Sequence, residues 1–270
     1  AWAMPATALL APFSADAASA AAPVIDASHA SEGYVAASAI SDARLKLQVA
    51  CGDMSYNYDL PSDGSPIVAP LNMGDGAYRI RVMQNTSGNN YVEVYAQDLD
   101  VALESEFAPY LRPNLFCDYD DASAAVAKAR ELAANATNEG DVMRDICTWV
   151  ASNITYDYDK ASTVSSGYLP VVDDILAAKK GICFDYAAVM TAMLRSQNIP
   201  CKLVVGYAGT IYHAWIDVYV HGTGWIAGAI RFDGKDWTLM DPTFVSSGKR
   251  SPSIMEYVTT DSNYSQKYAY

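Results

Sequence analysis

From about Val24 to Leu103 apolar and polar residues alternate with period two. GYVAASAI, RLKLQVACGD, MSYNYDLP, GAYRIRVMQN and NYVEVYAQDL are short runs rich in Val, Ile and Tyr. Turn chemistry separates them: PSDGSP, NMGDG and NTSGNN supply the Gly, Asn, Asp and Pro that reverse a chain. Strands of this length and spacing predict a small antiparallel β-sandwich. Arg79, Arg81 and Gln84 are placed on a wet face, with Tyr78, Ile80 and Val82 turned toward a core. The region reads as a packing or spacer unit without chemistry of its own.

After EFAPYLRPNLFCDYDD the period changes, and a boundary falls near Ser105 to Asp120. Asp121 to Ala136 is alanine-rich and predicts a helix. Glu139 to Ile154 sets Val142, Ile146, Trp149 and Val150 on one helical stripe, with Cys147 beside it as a core residue. A Tyr-rich segment, NITYDYD, a loop, STVSSGYLP, and a short helix over Asp173 to Lys179 follow. A break at Gly181 then opens a further helix on GICFDYAAVM, where Cys183, Ala187, Met190 and Leu194 line up on one face. That helix ends at SQNIP: Asn198 suits a left-handed cap, and Pro200 cannot continue a helix. CKLVVGYAG, IYHAWIDVYV and DWTLMDPTF alternate again as strands, with a turn at HGTGW. Helices followed by antiparallel strands make an α+β layout.

Composition narrows the function classes. The 270 residues, 51% hydrophobic, suffice for substantial cores. A formal net charge of -13, with only 18 scattered Lys and Arg, excludes a nucleic-acid partner, since phosphates need a clustered cationic surface. The opening AWAMPATALLAPFSADAASAAAP is apolar, then small-residue-rich, with A-x-A-like sites around Ala15 to Ala21; it reads as a signal-peptide remnant or flexible leader. Secretion or display at the cell surface is the expectation. No later run of about 18 apolar residues predicts a spanning helix. The domain reading is therefore 1–23 signal-peptide remnant or flexible leader, 24–105 β-sandwich domain and 106–270 α+β domain.

Five cysteines, at 51, 117, 147, 183 and 201, are an odd number in a chain too large to need a disulfide framework. No CxxC and no Cys/His pair at zinc-finger spacing occurs, so no metal and no cofactor is expected. Thiol-based acyl transfer needs a thiolate, a base in reach and a group that orients the base. Cys183 opens a helix, where the dipole and unpaired N–H groups lower a thiol pKa from about 8.5. Of three histidines, His29 falls in an Ala/Ser-rich stretch and His221 in an exposed turn, leaving His213 on a strand as the base. Asp241, before Pro242 at a strand end, is the orienting acid, with Asp185 and Asp217 as competitors. Asp217 stands about 13 Å from His213 along an extended strand.

Taken together, GICFDYA, NIPCKLVVGY, YHAWIDVYV and W-x-L-M-D-P-T-F, in the order Cys, His, Asp, resemble the core of the transglutaminase-like superfamily. The resemblance covers roughly Glu139 to Phe244. It implies a papain-like α+β fold in which Cys183 is the nucleophile, His213 the base and Asp241 the orienting acid. The preceding β-region resembles the immunoglobulin-like domains found before such cores in secreted bacterial proteins. Ile216 and Asp217 stand where many members carry Asn-Glu, and the acidic metal sites of the calcium-dependent animal enzymes are not found. The superfamily holds crosslinking enzymes, amidases, peptidases and inactive relatives. The Cys183 N–H would be one oxyanion donor and Tyr156 or Tyr158 the second; Phe184 and Trp215 are candidates for an acyl groove. The expected partner is a protein or peptide substrate, cell-wall peptide among them. The rival reading is a non-catalytic surface binding module that keeps the fold.

Overall fold

The period-two runs of the first hundred residues fold as strands because each alternates side chains that can be buried with side chains that must stay wet. The computed structural model describes residues 22–208, 211–232, 237–239 and 264–270; all but the last two residues of the leader expected at 1–23 lie outside them. Seven strands come first: β1 (Val24–Asp26), β2 (Tyr34–Ser38), β3 (Leu45–Cys51), β4 (Met54–Leu60), β5 (Ile67–Pro70), β6 (Gly76–Ser87) and β7 (Asn90–Val101). They form two antiparallel sheets, ordered β1-β2-β5 and β4-β3-β6-β7. Leu45, Leu47 and Val49 on β3 pair across to Tyr56, Tyr58 and Leu60 on β4 and to Ile80 and Val82 on β6, all buried. Arg79 and Arg81 point the other way, as expected, and reach Asp98 and Glu93. Gln84 does not join them: β3 and β6 keep regular register to this point, so period two puts it with Val82, half-buried, and Ser41 Oγ donates to its Oε1.

Among the described residues the second half carries five helices, α1 (Ala124–Ala133), α2 (Glu139–Asn153), α3 (Tyr158–Thr163), α4 (Val172–Ala178) and α5 (Cys183–Ser196). A two-stranded parallel pair, β8 (Thr155–Tyr156) and β9 (Lys180–Gly181), lies among them. The last strands are β10 (Cys201–Ala208), β11 (Ile211–Val220), β12 (Gly224–Phe232), β13 (Trp237–Leu239) and β14 (Tyr264–Ala269), in a sheet ordered β13-β12-β11-β10-β14 with antiparallel pairing throughout. The chain is thus α+β, as the sequence pattern implies.

α5 is the central element. A single apolar stripe was the expectation, yet residues 185–195 are all buried, because β10, β11, α1, α2 and α4 all pack on this helix. Small side chains at Ala187, Ala188 and Ala192 let these neighbours approach, and each fully buried Val, Leu or Met contributes roughly 1.5–3 kcal/mol. The helix stops as expected, with Asn198 at φ +60. Near its end Arg195, 3% exposed, donates to the carbonyls of Cys201, Arg112 and Tyr270 and to Cys117 Sγ. A buried cation spread over acceptors from three chain segments fixes α5 against β10 and the β14 end.

The apolar core does not stop between the β-rich and helical regions. Tyr58 of β4 lies 6.0 Å from Phe116 and 6.1 Å from Tyr270, and Tyr56 lies 5.4 Å from Tyr270, centroid to centroid. These rings belong to one continuous cluster running from Ile25 to Tyr270.

Candidate active site

Cys183 is the first residue of α5, and its placement follows from the turn before it. Ile182 is the N-cap, and its N–H donates to Asp185 Oδ2 at 2.9 Å, so the helix start is closed by its own third residue. The Asp185 carboxylate is wholly buried. Lys160 Nζ donates to Oδ2 and Tyr168 Oη to Oδ1, both at 2.6 Å. Gly181 is required just upstream: a Cβ there would stand 2.7 Å from Asp185 Cβ. The parallel pairing of Tyr156 with Gly181 carries the Tyr156 ring to the same turn.

Around the half-buried thiol, the backbone N–H groups of Ala214 and Phe184 and the Tyr156 hydroxyl lie within hydrogen-bonding reach of the sulfur. Ala214 follows His213 on β11, so α5 delivers the cysteine to the strand that carries the histidine. Cys183 and His213 line one cavity of about 690 Å³, together with Tyr156 and Phe184. The Tyr156 hydroxyl also bonds the Cys183 backbone N–H.

Electrostatics at the thiol differ from the helix-dipole expectation. Burial pushes the Cys183 thiol up; the Ala214 and Phe184 N–H groups pull it back, the Asp185 charge adds to the rise, and Tyr156 opposes it. Desolvation of a thiolate outweighs two N–H groups here. Burial likewise pushes the Tyr156 hydroxyl up to about 12, with the neighbouring Cys183 next in weight.

The remaining sequence candidates separate. Tyr158 is 62% exposed and tilts on Tyr156 at 5.0 Å. Trp215 is buried against Val204 and Ala269, over Gly206, away from the cavity lining. Asp241 lies outside the described residues. β13, which ends two residues before it, joins β12 in the sheet that holds His213. Asp217, 8% exposed, accepts from the Gly228 N–H at 2.7 Å. His29 stacks on Tyr34 beside Glu32, and His221 is exposed. All five cysteines are free thiols. Among the described residues no cluster of three or more His, Cys, Asp or Glu is placed to hold a metal, and no helix is long and apolar enough to cross a membrane.

Sequence reasoning missed Lys160 and Tyr168. Lys160 falls between the Tyr-rich segment and the loop and Tyr168 within that loop, and only the fold brings them to Asp185, 25 and 17 residues away.

Residues 126–229 match the family model of the transglutaminase-like superfamily, a span that holds both Cys183 and His213. UPF0252 protein MJ1282 of Methanocaldococcus jannaschii is 28% identical over 149 residues, covering 50% of this chain and 40% of that protein. The uncharacterized protein YebA of Bacillus subtilis is 29% identical over 123 residues, 37% of this chain and 17% of that one. The chain spans less than half the length of these curated relatives. Among solved structures, the periplasmic domain of TgpA from Pseudomonas aeruginosa aligns with TM-score 0.36 and 16% identity over 80% of this chain and 71% of its own. Red sea bream transglutaminase aligns with TM-score 0.33 and 14% identity over 80% and 48%. Both likenesses are too distant to bear on the reaction.

Proposed function

We propose that the protein is a thiol-dependent acyl-transfer enzyme acting on amide bonds of proteins or peptides. One observation carries this reading: Cys183, at the start of a buried helix, shares a cavity with His213 and has a strand N–H and a tyrosine hydroxyl at its sulfur. In the reaction His213 accepts the Cys183 proton, and the thiolate forms a bond to the amide carbonyl carbon. The Cys183 N–H and the Tyr156 hydroxyl are assigned to the oxyanion, the substrate oxygen replacing the bond between them. Collapse of that intermediate breaks the C–N bond as His213 returns the proton to the leaving amine. Water or a second amine then takes the acyl group and frees the thiol. Asp241 is assigned to orient His213, on the strength of its Asp-Pro position after β13.

The same reading makes 24–105 an immunoglobulin-like domain before a catalytic domain at 106–270, in a secreted or cell-surface protein whose substrate is a peptide, cell-wall peptide included. The leader-like composition of 1–23 supports the location. A second reading, a binding module without catalysis, draws on the burial that pushes the Cys183 thiol up.

Two measurements test the enzyme. Iodoacetamide should modify Cys183 rapidly near neutral pH in the wild type and slowly in His213→Ala; a sluggish thiol indifferent to that change sinks the activated nucleophile. A glutamine-containing peptide, incubated with and without a primary amine, then reports free acid for hydrolysis or an adduct for transfer.

A further inference from the structure

The four-stranded sheet reaches into the candidate active site. β4 is the edge strand of that sheet, and its residues Asn57, Tyr58 and Asp59, with Lys46 on the adjoining β3, line the cavity that holds Cys183 and His213. Successive side chains of a strand point to opposite faces, so three consecutive residues on one cavity mean that it wraps around the strand's edge. Lys46 Nζ lies 2.7 Å from Asp59 Oδ1, and the two side chains are 35% and 60% exposed. This ion pair forms a wet, charged end to the cavity. Phe116, Phe184 and Tyr212 contribute an aromatic wall.

The loop between α3 and α4 closes a further side by resting on the same strand. Gly167, at φ +86, sits so close to Asp59 that a Cβ would stand 2.8 Å from Oδ2. The next residue, Tyr168, bonds Asp185 under the nucleophile. About 690 Å³ falls within the roughly 300–1,000 Å³ of ligand pockets. An apolar lining with a few convergent polar groups at one end is the usual design of a site that fixes a ligand's orientation.

We propose that the β-region is a specificity element of the active site. It reads an acyl-donor peptide that sets a large apolar or aromatic residue against the aromatic wall and a neighbouring charged side chain on the Lys46–Asp59 pair. This rests on the acyl-transfer reading and extends it from the cysteine to the substrate. The pair offers one charge of each sign, so an acidic side chain is taken by Lys46 and a basic one by Asp59. Replacing either partner leaves a single sign and creates a preference.

Binding is the decisive readout, because it does not depend on turnover. In a Cys183→Ala background, fluorescence anisotropy would follow labelled peptides of sequence Asp-Phe-Gln-Gly, Lys-Phe-Gln-Gly and Lys-Gly-Gln-Gly. The parent should bind the two Phe peptides with affinities within about twofold. Lys46→Glu should favour the lysine peptide by about fivefold, and Asp59→Lys the aspartate peptide by a similar factor, as partly exposed charge pairs allow. The Gly peptide should bind about tenfold more weakly throughout. Unchanged preference in both charge variants, or no binding of any peptide at millimolar concentration, overturns the proposal. Charge-switched binding alongside a Cys183 that neither alkylates nor transfers in the wild type would overturn the catalytic reading alone.

Discussion

The Lys160 ammonium and the Asp185 carboxylate lie 2.6 Å apart, and the carboxylate is fully buried two positions beyond the nucleophile candidate. A negative charge placed there raises the cost of a thiolate at Cys183, and Lys160 is the cation paired with that carboxylate. The pair also holds the first turn of α5, through the Ile182 N–H and Tyr168.

Lys160→Met should therefore act twice. Breaking a buried pair costs about 3–5 kcal/mol; with Lys160 28% exposed the expected loss is smaller, about 1–3 kcal/mol in a urea titration. The pH midpoint of Cys183 alkylation should move upward in the same variant, whereas simple loosening of the helix would leave it in place.

Tyr156→Phe removes the hydroxyl that meets both the Cys183 sulfur and its N–H. Loss of one oxyanion donor costs about 10²–10³ in kcat, and a fall toward that range in peptide acyl transfer is expected, with unchanged melting. Tyr158→Phe, at an exposed ring, should leave kcat alone. Equal effects would remove Tyr156 from the reaction.

Gly206→Ala should be far more damaging than its size implies. A Cβ at Gly206 would overlap the Ser265 carbonyl oxygen and stand 2.9 Å from the Trp215 ring, so β14 must part from β10. Overpacking of this kind costs about 1–3 kcal/mol or more. Hydrogen exchange should show β14 amides losing protection first.

The tyrosines make the fold sensitive to alkali. Burial raises the hydroxyls of Tyr58, Tyr78, Tyr119 and Tyr270 above their ordinary value of 10, and pushes Tyr110 and Tyr186 up to about 12. Above pH 10 the unfolded chain releases protons that the folded chain still holds. Stability is thus complete below pH 10 and falls as pH rises through the folded values. The rise in absorbance at 295 nm should reach completion only together with the loss of near-ultraviolet circular dichroism; a complete tyrosinate signal in a chain that is still folded would contradict this.

Much of the frame was legible because it rests on local periodicity. β3, β4, β6 and β7 are long enough for alternation to show, and Asn198 before Ile199 and Pro200 marked the end of α5. β1 and β5, at three and four residues, are too short to carry a period. α3 was missed because a single turn and a half, capped by Asp157, has no stripe to read. That Cys183 and His213 line one cavity agrees with their residue chemistry, yet the thiol's electrostatics could not be read in advance, since burial is set by the whole fold. Lys46 and Asp59 gave no signal at all: an ion pair on a β-sheet surface looks the same in sequence whether it faces bulk water or a cavity.

The aromatic bridge of Tyr56, Tyr58, Phe116 and Tyr270 has a practical corollary for anyone moving this chain between scaffolds. Residues 106–270 expressed alone would present Phe116 and Tyr270 bare, along with the mouth of the cleft, and would be prone to self-association. Grafting them behind a foreign carrier would discard Lys46, Asn57 and Asp59 and supply nothing for Gly167 to lean on. Exchange between homologues would therefore succeed only when both halves travel as one cassette.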